Sequence, residues 1–529
     1  TRSDSEVIIE GFAFEGVAFL EKLNGIFAIV LYDTQTKEMF VLRDPIGVKP
    51  IYYTSQKGTF FCSEIKGLLA IKDLTFSLRF ESIADQLAFM YIPEPNTIYN
   101  EIFKLPAGFL FTFKDGKKIN EIRLFKNLDI NFAKSKNILS AGEFDTELSN
   151  AIDRQLIGDV PMSLMLSGGI DSSVIASKAI KLNAKLTNAF TVAFSNYDLQ
   201  NDGQSDDLLF AKIVADKLNI KLNILEANKN YLSLIPDIIR FTEGEITDPS
   251  ALNTYLISKF AAQSGVKVLL SGQGADELLG GYRRYIAANI MKSMPILVLR
   301  AIGILKYIPQ IDGLGNAFIR RVKRFAEISS NYSSTNFFKM YSWSSKNTIN
   351  NILNKKIEWN GKRIFEELFD TYSDLELIEA MMKVDFEYDL KSLNLLYTDK
   401  MSMANGIEVR VPFLDFEFIK FVNKIDLRHK VNFMSGKYIL KKSAKKYLPN
   451  KIVNRSKSGF GLPIRSWIKE ENDKILNNFK NSDSLFNSIF NVRYIEQIMT
   501  ENIQNKSDHS NLIFTILMQK NFISYFQKL

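Results

Sequence analysis

Apolar runs along the chain predict two parts with different folds. In residues 1 to about 115, short apolar runs bounded by turn residues predict β-strands at 25–32, 38–42, 51–53 and 59–62. From about residue 140, strand-like runs alternate with helix-like runs, which is typical of a parallel α/β sheet. Beyond Tyr285 the pattern predicts mainly helices. Residues 116–139 have little apolar periodicity and are predicted to link the two parts.

Two continuous apolar runs, 163–166 and 266–270, are each followed by a glycine-rich loop. Continuous rather than alternating apolar runs predict parallel strands that are covered on both faces. The loops read Ser-Gly-Gly-Ile-Asp-Ser-Ser at 167–173 and Ser-Gly-Gln-Gly-Ala-Asp-Glu at 271–277. Paired glycines allow a sharp turn and close approach to a ligand, and the helix predicted to begin after Asp171, at Ser172, would direct unpaired N–H groups at an anion. We therefore predict a phosphate cradle at the ends of two neighbouring strands.

Each loop also carries an acid, Asp171 in the first and Asp276 in the second. We expect the two carboxylates to face each other across the strand ends, where open α/β sheets hold their ligands. Two carboxylates beside a polyphosphate indicate Mg²⁺. Either loop alone also fits an ordinary strand-to-helix turn, whereas the two together favour a ligand site. The Walker spacing GxxxxGK[ST] is absent from the sequence, which argues against γ-phosphoryl transfer of the kinase or GTPase type.

Composition and charge exclude several classes of protein. The chain has 529 residues, of which 46% are hydrophobic and 24% charged, and its length predicts two to four domains. The net charge is +8, but the basic residues are spread along the chain, which argues against a nucleic-acid partner. The longest apolar run, 295–299, is far shorter than the roughly 20 residues that cross a bilayer, so we expect no membrane span.

Cys62 is the only cysteine, so the chain can form neither an internal disulfide nor a cysteine-rich zinc site. This usage favours a reducing cytoplasm. Cys62 lies in a predicted strand, where a free cysteine is typically a small core residue. The only histidines, His429 and His509, show no pattern typical of a Ser-His-Asp triad or a metal site.

Five motifs follow one another along the chain, and together they point to one family. They are RDPIGVKPIYY at 43–53, SEIK at 63–66, SGQGADELLGGY at 271–282, DKMSMA at 399–404 and EVRVPFLD at 408–415. The loop at 167–173 is similar to the SGGxDS loop of the ATP pyrophosphatases, which cleave ATP between the α- and β-phosphates. In this order, the motifs resemble those of the class II, glutamine-hydrolysing asparagine synthetase family.

The resemblance implies a fold and an activity. Residues 1–115 would be a partial α+β glutaminase domain of the N-terminal nucleophile type, and 140–529 an α/β ATP-pyrophosphatase (adenine nucleotide α-hydrolase-like) domain with a helical C-terminal region. The family uses ATP and Mg²⁺ to convert the β-carboxylate of aspartate into aspartyl-AMP, and ammonia from glutamine then gives asparagine, AMP and pyrophosphate. Ammonia travels through an internal tunnel. A cytoplasmic location is implied, and the oligomeric state stays open, with a homodimer as one alternative.

The resemblance also implies roles for single residues. Asp171 and Asp276 would hold Mg²⁺, while Lys400 and Lys437 would contact pyrophosphate and stabilise charge in both transition states. ATP would be bound by residues of both loops and of one further strand: Leu166, Ser167, Gly168, Gly169, Asp171, Ser172, Ser173, Val192, Ser271 and Gly272. Arg410 and Asp415 are predicted to be structural, in an ion pair or a helix cap.

Two departures from the family pattern qualify this prediction. The segment Thr1-Arg2-Ser3-Asp4-Ser5-Glu6 resembles one that lies well inside the glutaminase, with Asp4 at the position that binds the α-amino group of glutamine. We therefore expect an N-terminally incomplete chain that uses free ammonia but cannot hydrolyse glutamine, with Thr1 and Cys62 as the only alternative nucleophiles.

The second departure is Gln273, which stands where the family commonly has an acid implicated in forming aspartyl-AMP. We expect Gln273 to act in the step that involves the acceptor carboxylate, although its amide cannot take up and release a proton as a carboxyl group does. One alternative is therefore an amidotransferase of the same chemistry that acts on another carboxylate, such as a sugar acid of a surface polysaccharide. The other is a non-catalytic scaffold, against which the retained Asp171, Asp276, Lys400 and Lys437 argue.

Overall fold

The computed structural model describes residues 3–125, 140–183, 185–202, 206–304, 326, 340–354, 359, 375–432, 435–457, 459 and 461–528. One large apolar core contains residues from both predicted parts of the chain, and a smaller apolar cluster lies within the N-terminal part. None of the helices in these ranges combines the length and the apolar character that crossing a bilayer requires.

The N-terminal part contains two antiparallel sheets, and its first four strands correspond to the short apolar runs of the sequence. Its strands are β1 Ala28–Asp33, β2 Glu38–Arg43, β3 Tyr52–Thr54, β4 Phe60–Cys62, β5 Phe103–Lys104, β6 Phe109–Lys114 and β7 Lys117–Arg123. The sheets have the strand orders β1-β2-β6-β7 and β4-β3-β5. The helices of this part are α1 Asp4–Glu15, α2 Val17–Leu20, α3 Ile65–Leu69 and α4 Phe80–Phe89.

The antiparallel sheet extends further along the chain than its sequence predicted. β6 and β7 form a hairpin from the pair Phe109↔Arg123 to the pair Lys114↔Lys117, so the boundary predicted at residue 115 falls inside paired structure. Most of β7 is exposed and polar, as expected of an edge strand, and a strand without an apolar face gives no periodic signal. The remainder of the predicted linker, 126–139, lies outside the described residues.

The five-stranded sheet that follows the N-terminal part is parallel throughout, as predicted. Its strands are β8 Met162–Met165, β9 Asn188–Ala193, β10 Lys221–Glu226, β11 Val268–Leu270 and β12 Glu408–Arg410. Their order is β10-β9-β8-β11-β12, and every neighbouring pair is parallel. β8 and β11 are direct neighbours, so the two glycine-rich loops leave adjacent strands at the same edge of the sheet. β12 is an exception to the helical pattern predicted beyond Tyr285, because three residues are too short a run to be recognised.

Helices surround the parallel sheet and make up most of the C-terminal region. Those up to residue 303 are α5 Ala141–Gln155, α6 Ile170–Leu182, α7 Asn196–Asp202, α8 Asp207–Leu218, α9 Ile235–Thr242, α10 Ser250–Gln263, α11 Ala275–Leu279, α12 Arg283–Ser293 and α13 Ile296–Gly303. Next come α14 Lys346–Ile352, α15 Leu377–Val384, α16 Leu396–Met403, α17 Phe416–Asn423, α18 Leu427–Lys430, α19 Tyr438–Ala444 and α20 Asn450–Val453. The last are α21 Ile464–Glu470, α22 Asn472–Lys480, α23 Ser484–Ile489, α24 Val492–Ile503 and α25 Ser510–Phe526. Short 3₁₀ helices cover Lys229–Leu234 and Pro412–Leu414.

A π-helix, Asp385–Leu395, joins α15 to α16. Its Asp389 accepts a hydrogen bond of 2.8 Å from the hydroxyl of Tyr91, and its Ser392 hydroxyl accepts one of 3.2 Å from the backbone N–H of Glu94. Asp389 also pairs with Arg284 at 2.8 Å. The π-helix therefore connects the N-terminal part to the helices beside the parallel sheet. Such widened helical turns occur frequently at functional sites.

Candidate active site

The two glycine-rich loops are in direct contact. A Cβ atom on Gly272 would lie 2.8 Å from the Cβ of Asp171 and 2.8 Å from the backbone nitrogen of Ser172. Any side chain at position 272 would therefore push the loops apart, which gives a steric reason for the glycine. The helix after the first loop, α6, begins at Ile170, two residues earlier than predicted, so Asp171 lies in its first turn.

A cavity of about 270 Å³ opens where these loops meet. Many of its lining residues come from the predicted site: Leu166, Ser167, Asp171, Ser172, Val192, Ser271, Gly272, Gln273 and Asp276. Three predicted ATP-binding residues, Gly168, Gly169 and Ser173, lie beneath this lining. Gly168 has a φ of +68° and packs on the backbone of Ala211, while the Ser173 hydroxyl donates to the Gly169 carbonyl at 2.7 Å. They shape the first loop without facing the cavity.

Lys437 lies between the two acids that the sequence analysis paired. Its Nζ is 2.6 Å from Oδ2 of Asp171 and 2.6 Å from Oδ1 of Asp276. The lysine side chain is only 4% exposed, and a Cβ on Gly281 would lie 2.1 Å from its Cε. Lys437 therefore occupies a slot that exists because residue 281 has no side chain. The structure brings together Asp171, Asp276 and Lys437, as predicted.

The two acids differ in their electrostatics. Burial raises the pKa of Asp276, but Lys437 and Lys457 outweigh it, so the pKa of this carboxyl lies well below its usual range. At Asp171, burial with the neighbouring Asp276 outweighs Lys437, and the pKa is raised. A proton added to this pair therefore goes first to Asp171, and Asp276 stays ionised.

The acids also fit a divalent cation. The Oδ1 atom of Asp171 is buried and has no hydrogen-bond partner among the described residues, so it has a lone pair to offer. Within those residues there is no group of three or more acidic, histidine or cysteine side chains that could hold a metal. Mg²⁺ needs no such group, because it is usually held by one or two carboxylates together with waters and substrate phosphates.

Two basic residues beside the cavity were missed by the sequence analysis. Lys457 lines the cavity and pairs with Oδ2 of Asp276. Arg455 donates a hydrogen bond of 3.0 Å to the backbone carbonyl of Ser167 and pairs with Asp207. The sequence signal was the basic, glycine-containing stretch from Arg455 to Gly461, which has no apolar periodicity and reads as an ordinary loop.

One end of the cavity is lined by Gln273, Glu277 and their hydrogen-bond partners. Gln273 donates from Nε2 to the hydroxyl of Thr398 at 2.7 Å, while its buried Oε1 has no hydrogen-bond partner in the described ranges. Beside it, Glu277 accepts hydrogen bonds from the hydroxyl of Tyr282 at 2.6 Å and from Nδ2 of Asn394 at 3.0 Å. Burial raises the pKa of Glu277, and the charge of Asp276 raises it further. The fixed amide of Gln273 thus presents a free acceptor oxygen.

The structure places Lys400 away from this lining. Its Nζ pairs with Glu243, and the same nitrogen lies 4.8 Å from the centre of the Tyr52 ring. Lys400 follows Thr398 by two residues on α16, and side chains at that spacing point to nearly opposite sides of a helix. Thr398 faces the cavity, so Lys400 faces the N-terminal part instead.

Glu243 ties Lys400 to that part of the chain. Its carboxylate accepts hydrogen bonds from the backbone N–H groups of Ile65, at 3.1 Å, and Lys66, at 2.8 Å, within the SEIK motif. A second ion pair, of 2.6 Å, joins Lys49 of the RDPIGVKPIYY motif to Asp399. The SEIK motif therefore contacts the end of α9 through Glu243, and the RDPIGVKPIYY motif contacts α16 through Asp399.

The remaining predicted residues lie outside the cavity. Asp4 is exposed in the first turn of α1, and Thr1 lies outside the described residues. The sulfur of Cys62 packs on Gly67, where a Cβ would come within 2.3 Å of it, and the half-buried cysteine lies against the edge of the apolar core. Asp415 caps α17 and pairs with Arg154, and Arg410 pairs with Glu408, so the structural roles predicted for Asp415 and Arg410 are confirmed.

Comparison with known proteins agrees with this geometry. The asparagine synthase family matches residues 143–524, and a glutamine amidotransferase domain matches residues 1–123. Glutamine-hydrolysing asparagine synthetase 1 of Bacillus subtilis is 29% identical over 98% of this chain and 80% of its own length. A Mycobacterium tuberculosis protein provisionally given the same enzyme name is 27% identical over 98% of this chain and 79% of its own. Amidase chry2 of Gibberella zeae is 24% identical over 88% of this chain and 73% of its own.

Proposed function

The chain belongs to the asparagine synthase family, and on that premise we propose that it amidates the β-carboxylate of aspartate at the expense of ATP. It is a ligase of the glutamine-hydrolysing type. The products would be asparagine, AMP and pyrophosphate, with ammonia as the attacking nitrogen, which the family's enzymes take from glutamine, and with the reaction in the cytoplasm. The observation that carries the proposal is the bridge of Lys437 between Asp171 and Asp276 beside the cavity.

The first step in this proposal is adenylation of the carboxylate. An oxygen of the β-carboxylate attacks the α-phosphorus of ATP, the bond to the β-phosphate oxygen breaks, and pyrophosphate leaves. The N–H groups at the start of α6 and the ammonium of Lys437 would stabilise the negative charge on the phosphates, since both are fixed before the reaction begins. Mg²⁺, held by Asp171 and Asp276, would neutralise the departing pyrophosphate.

The second step is attack by ammonia on the activated carbonyl carbon, which expels AMP. Ammonia adds to the carbonyl, and the proton that it loses must pass to a nearby base or to water. The free Oε1 of Gln273 could accept a hydrogen bond from the nucleophile or from the substrate's ammonium, but cannot take the proton. We therefore assign Gln273 to positioning the acceptor or the nucleophile.

A second candidate is the same chemistry on another carboxylate. Gln273 supports it, because a neutral amide at this position selects its acceptor by hydrogen bonding without a charge. The chain also resembles an amidase as well as asparagine synthetases. The non-catalytic alternative has less support, because the cavity keeps an unpartnered carboxylate oxygen on Asp171.

Exchange of labelled pyrophosphate into ATP, measured with a panel of carboxylic acids, tests the proposal. Aspartate should support exchange, and production of asparagine should then be followed with glutamine and with ammonium as separate donors. Asp171→Asn and Asp276→Asn should each lose on the order of 10²-fold in exchange rate by removing a metal ligand. Asp216→Asn, at an exposed position on α8, is the matched control.

The outcomes distinguish the three hypotheses: amidation of aspartate, amidation of another carboxylate, and a non-catalytic scaffold. Exchange with a different acid alone would favour the second candidate, and binding of MgATP without exchange in any acid would favour a scaffold. Full exchange by both the Asp171 and the Asp276 variant would contradict the assignment of these acids to the metal.

A further inference from the structure

Asp145 connects the helix that carries Asp171 to the helix that begins directly after Lys437. It lies on α5, and its Oδ1 accepts a hydrogen bond of 2.5 Å from the hydroxyl of Ser443 on α19. The same oxygen is 2.8 Å from Nζ of Lys178 on α6. Burial raises the pKa of Asp145, but the hydrogen bonds from Lys178 and Ser443 outweigh it and lower the pKa, so the carboxylate is ionised. One carboxylate therefore links α6 and α19 to α5.

Lys178 is fixed to α5 by further contacts. Its ammonium also donates to the backbone carbonyl of Asp145 at 3.0 Å and to the hydroxyl of Ser149 at 2.9 Å, so all three of these acceptors are on α5. The lysine side chain is only 7% exposed, and Ser443 is fully buried. Polar networks that are satisfied and shielded from water are rigid. The three helices are therefore joined firmly at this point.

This junction lies about two helical turns from the ion pair of the active site. Lys178 is seven positions after Asp171 on α6, and Ser443 is six positions after Lys437. Both are therefore roughly 10 Å along their helices from the pair between Lys437 and Asp171. The two helices are joined by that ion pair at one end and through Asp145 at the other. A change at the Asp145 end would alter the orientation of α19 relative to α6, and with it the position of Lys437.

The backbone of Lys437 needs support of this kind. Its φ of +55° and ψ of +37° lie in the left-handed region, which a residue with a side chain keeps only where the surrounding structure holds it. Its N–H donates to the carbonyl of Leu279 at 3.0 Å, which fixes one side of the residue. The other side continues directly into α19, so a rotation of this helix would change the backbone angles of Lys437 and move its Nζ.

We propose that Asp145 is a positioning residue for Lys437. By holding Ser443 against Lys178, it keeps α19 in the orientation that places Nζ of Lys437 between the two acids. Asp145 is not among the residues that line the cavity, so it acts through the lysine and does not contact the substrates. The inference rests on the proposed function, in which Lys437 stabilises charge on the phosphates of ATP.

The test variant is Ser443→Ala, which removes the link to α19 and leaves the pair between Asp145 and Lys178 in place. The matched control is Ser82→Ala on α4, because Ser82 is also a fully buried helical serine and donates to the carbonyl of Thr97 at 2.7 Å. Both variants should lower the denaturant midpoint to a similar extent, since each loses one buried hydrogen bond.

Hydrogen exchange followed by mass spectrometry measures how firmly Lys437 is held, without any need for activity. In Ser443→Ala, the peptide that contains the backbone N–H of Lys437 should exchange about three- to tenfold faster, the value of one lost hydrogen bond. In Ser82→Ala, this peptide should exchange at the wild-type rate. Asp145→Ala removes both links and should give the larger increase.

Pyrophosphate exchange then shows whether the position of Lys437 matters for the reaction. In Ser443→Ala, kcat should fall by about three- to tenfold, and by more than the KM for ATP rises, because a displaced lysine loses its contacts in the transition state. In the Lys437→Gln background, Ser443→Ala should have no further effect on the rate, because Ser443 acts through the lysine.

Faster hydrogen exchange at Lys437, together with no added effect in the Lys437→Gln background, supports the inference. Unchanged hydrogen exchange in Ser443→Ala overturns it, and so does an undiminished effect on the rate without the lysine, because a merely structural role does not depend on Lys437. If hydrogen exchange changes as expected but no carboxylate supports pyrophosphate exchange in the wild type, the proposed function fails while the positioning of Lys437 by Asp145 stands.

Discussion

Lys437 and Lys400 are both buried lysines paired with carboxylates, yet their surroundings differ in one respect. At Lys400, the carboxylate of Glu243 is fully used, by the lysine on one side and by the backbone N–H groups of Ile65 and Lys66 on the other. At Lys437, the carboxylate of Asp171 keeps one buried oxygen without a hydrogen-bond partner in the described part of the chain. The first cluster is closed, whereas the second is open towards a cavity.

The contrast between the two lysine sites shows how a buried ion pair should be interpreted. A pair whose hydrogen-bonding capacity is satisfied within the protein has nothing left to offer a ligand, and it contributes to the contact between two parts of the chain. A pair with an unsatisfied oxygen is costly in the absence of a ligand, and that cost is offset when a ligand or metal binds. Burial and charge are common to both lysines, so they do not by themselves identify a catalytic group.

The largest expected effects come from neutralising each lysine in turn. Lys400→Gln should lower the free energy of unfolding by about 3 to 5 kcal/mol, because it leaves Glu243 buried and unpaired. Lys437→Gln should instead lower the pyrophosphate exchange rate by roughly 10²- to 10³-fold, with a smaller loss of stability because Lys457 still pairs with Asp276. Denaturant titration and the exchange assay measure the two effects.

The distinction between Lys437 and Lys400 would be wrong if the two variants behaved alike. Equal destabilisation would mean that the cavity gives Lys437 no distinct role, and a loss of exchange by a stably folded Lys400→Gln protein would restore the catalytic role that the family resemblance implies for Lys400. Lys442→Gln, at an exposed position on α19, the helix that begins directly after Lys437, serves as the control for charge alone.

Asp85 is a third buried acid, and it differs from Asp171 and Glu243 because its hydrogen-bond donor is a neutral side chain. Asp85 accepts a hydrogen bond of 2.8 Å from the indole of Trp359, and burial raises its pKa from 3.8 to about 7. Since the folded-state pKa is the higher one, the stability contributed by Asp85 is fully present below pH 3.8 and is lost as the pH rises to about 7.

Asp85→Asn should remove this loss, because the amide oxygen still accepts from Trp359 and carries no charge. Above about pH 7 the variant should be more stable than the wild type by up to about 4 kcal/mol, and near pH 4 the two should be similar. Denaturant midpoints at several pH values measure the difference. Parallel stability curves for the two proteins would mean that Asp85 is not buried as its surroundings indicate.

The smallest expected effect concerns the end of the cavity at Gln273. Gln273→Ala should slow turnover by about tenfold, the value of one lost hydrogen bond, because it removes the free acceptor oxygen. ATP affinity should stay unchanged, because the backbones of Gly272 and Gly274 rather than this side chain lie along the nucleotide in our proposal. If nucleotide affinity fell as much as turnover, Gln273 would face ATP and not the acceptor.

Sequence patterns predicted the elements whose signals are local. The apolar runs before Ser167 and Ser271 became the neighbouring strands β8 and β11, and Gly272 of the second loop proved to be a contact point with the first loop. Strands β1 to β4 of the N-terminal part were predicted in the same way, whereas β5, β6 and β7 were not. A single short segment of chain contains all that is needed for such predictions.

Features that depend on distant residues were missed or misplaced. Lys457 reaches Asp276 across 181 positions of the chain, and its own loop has no distinctive pattern. Lys400 belongs to a recognisable motif, but which side of α16 faces the cavity depends on how that helix packs. β7 was assigned to a linker because an exposed edge strand needs no apolar residues.

The π-helix Asp385–Leu395 limits the insertions and deletions that this segment can accept. Its first turns are anchored by Asp389 to Tyr91 and Arg284, and its last by Asn394 to Glu277. Deleting one residue from a helix turns everything beyond the deletion by roughly a quarter of a turn relative to everything before it. Both anchors could not then be kept at once. Substitutions can accumulate in the solvent-facing positions of this segment, whereas insertions and deletions there should be rejected, even though many surface loops tolerate them.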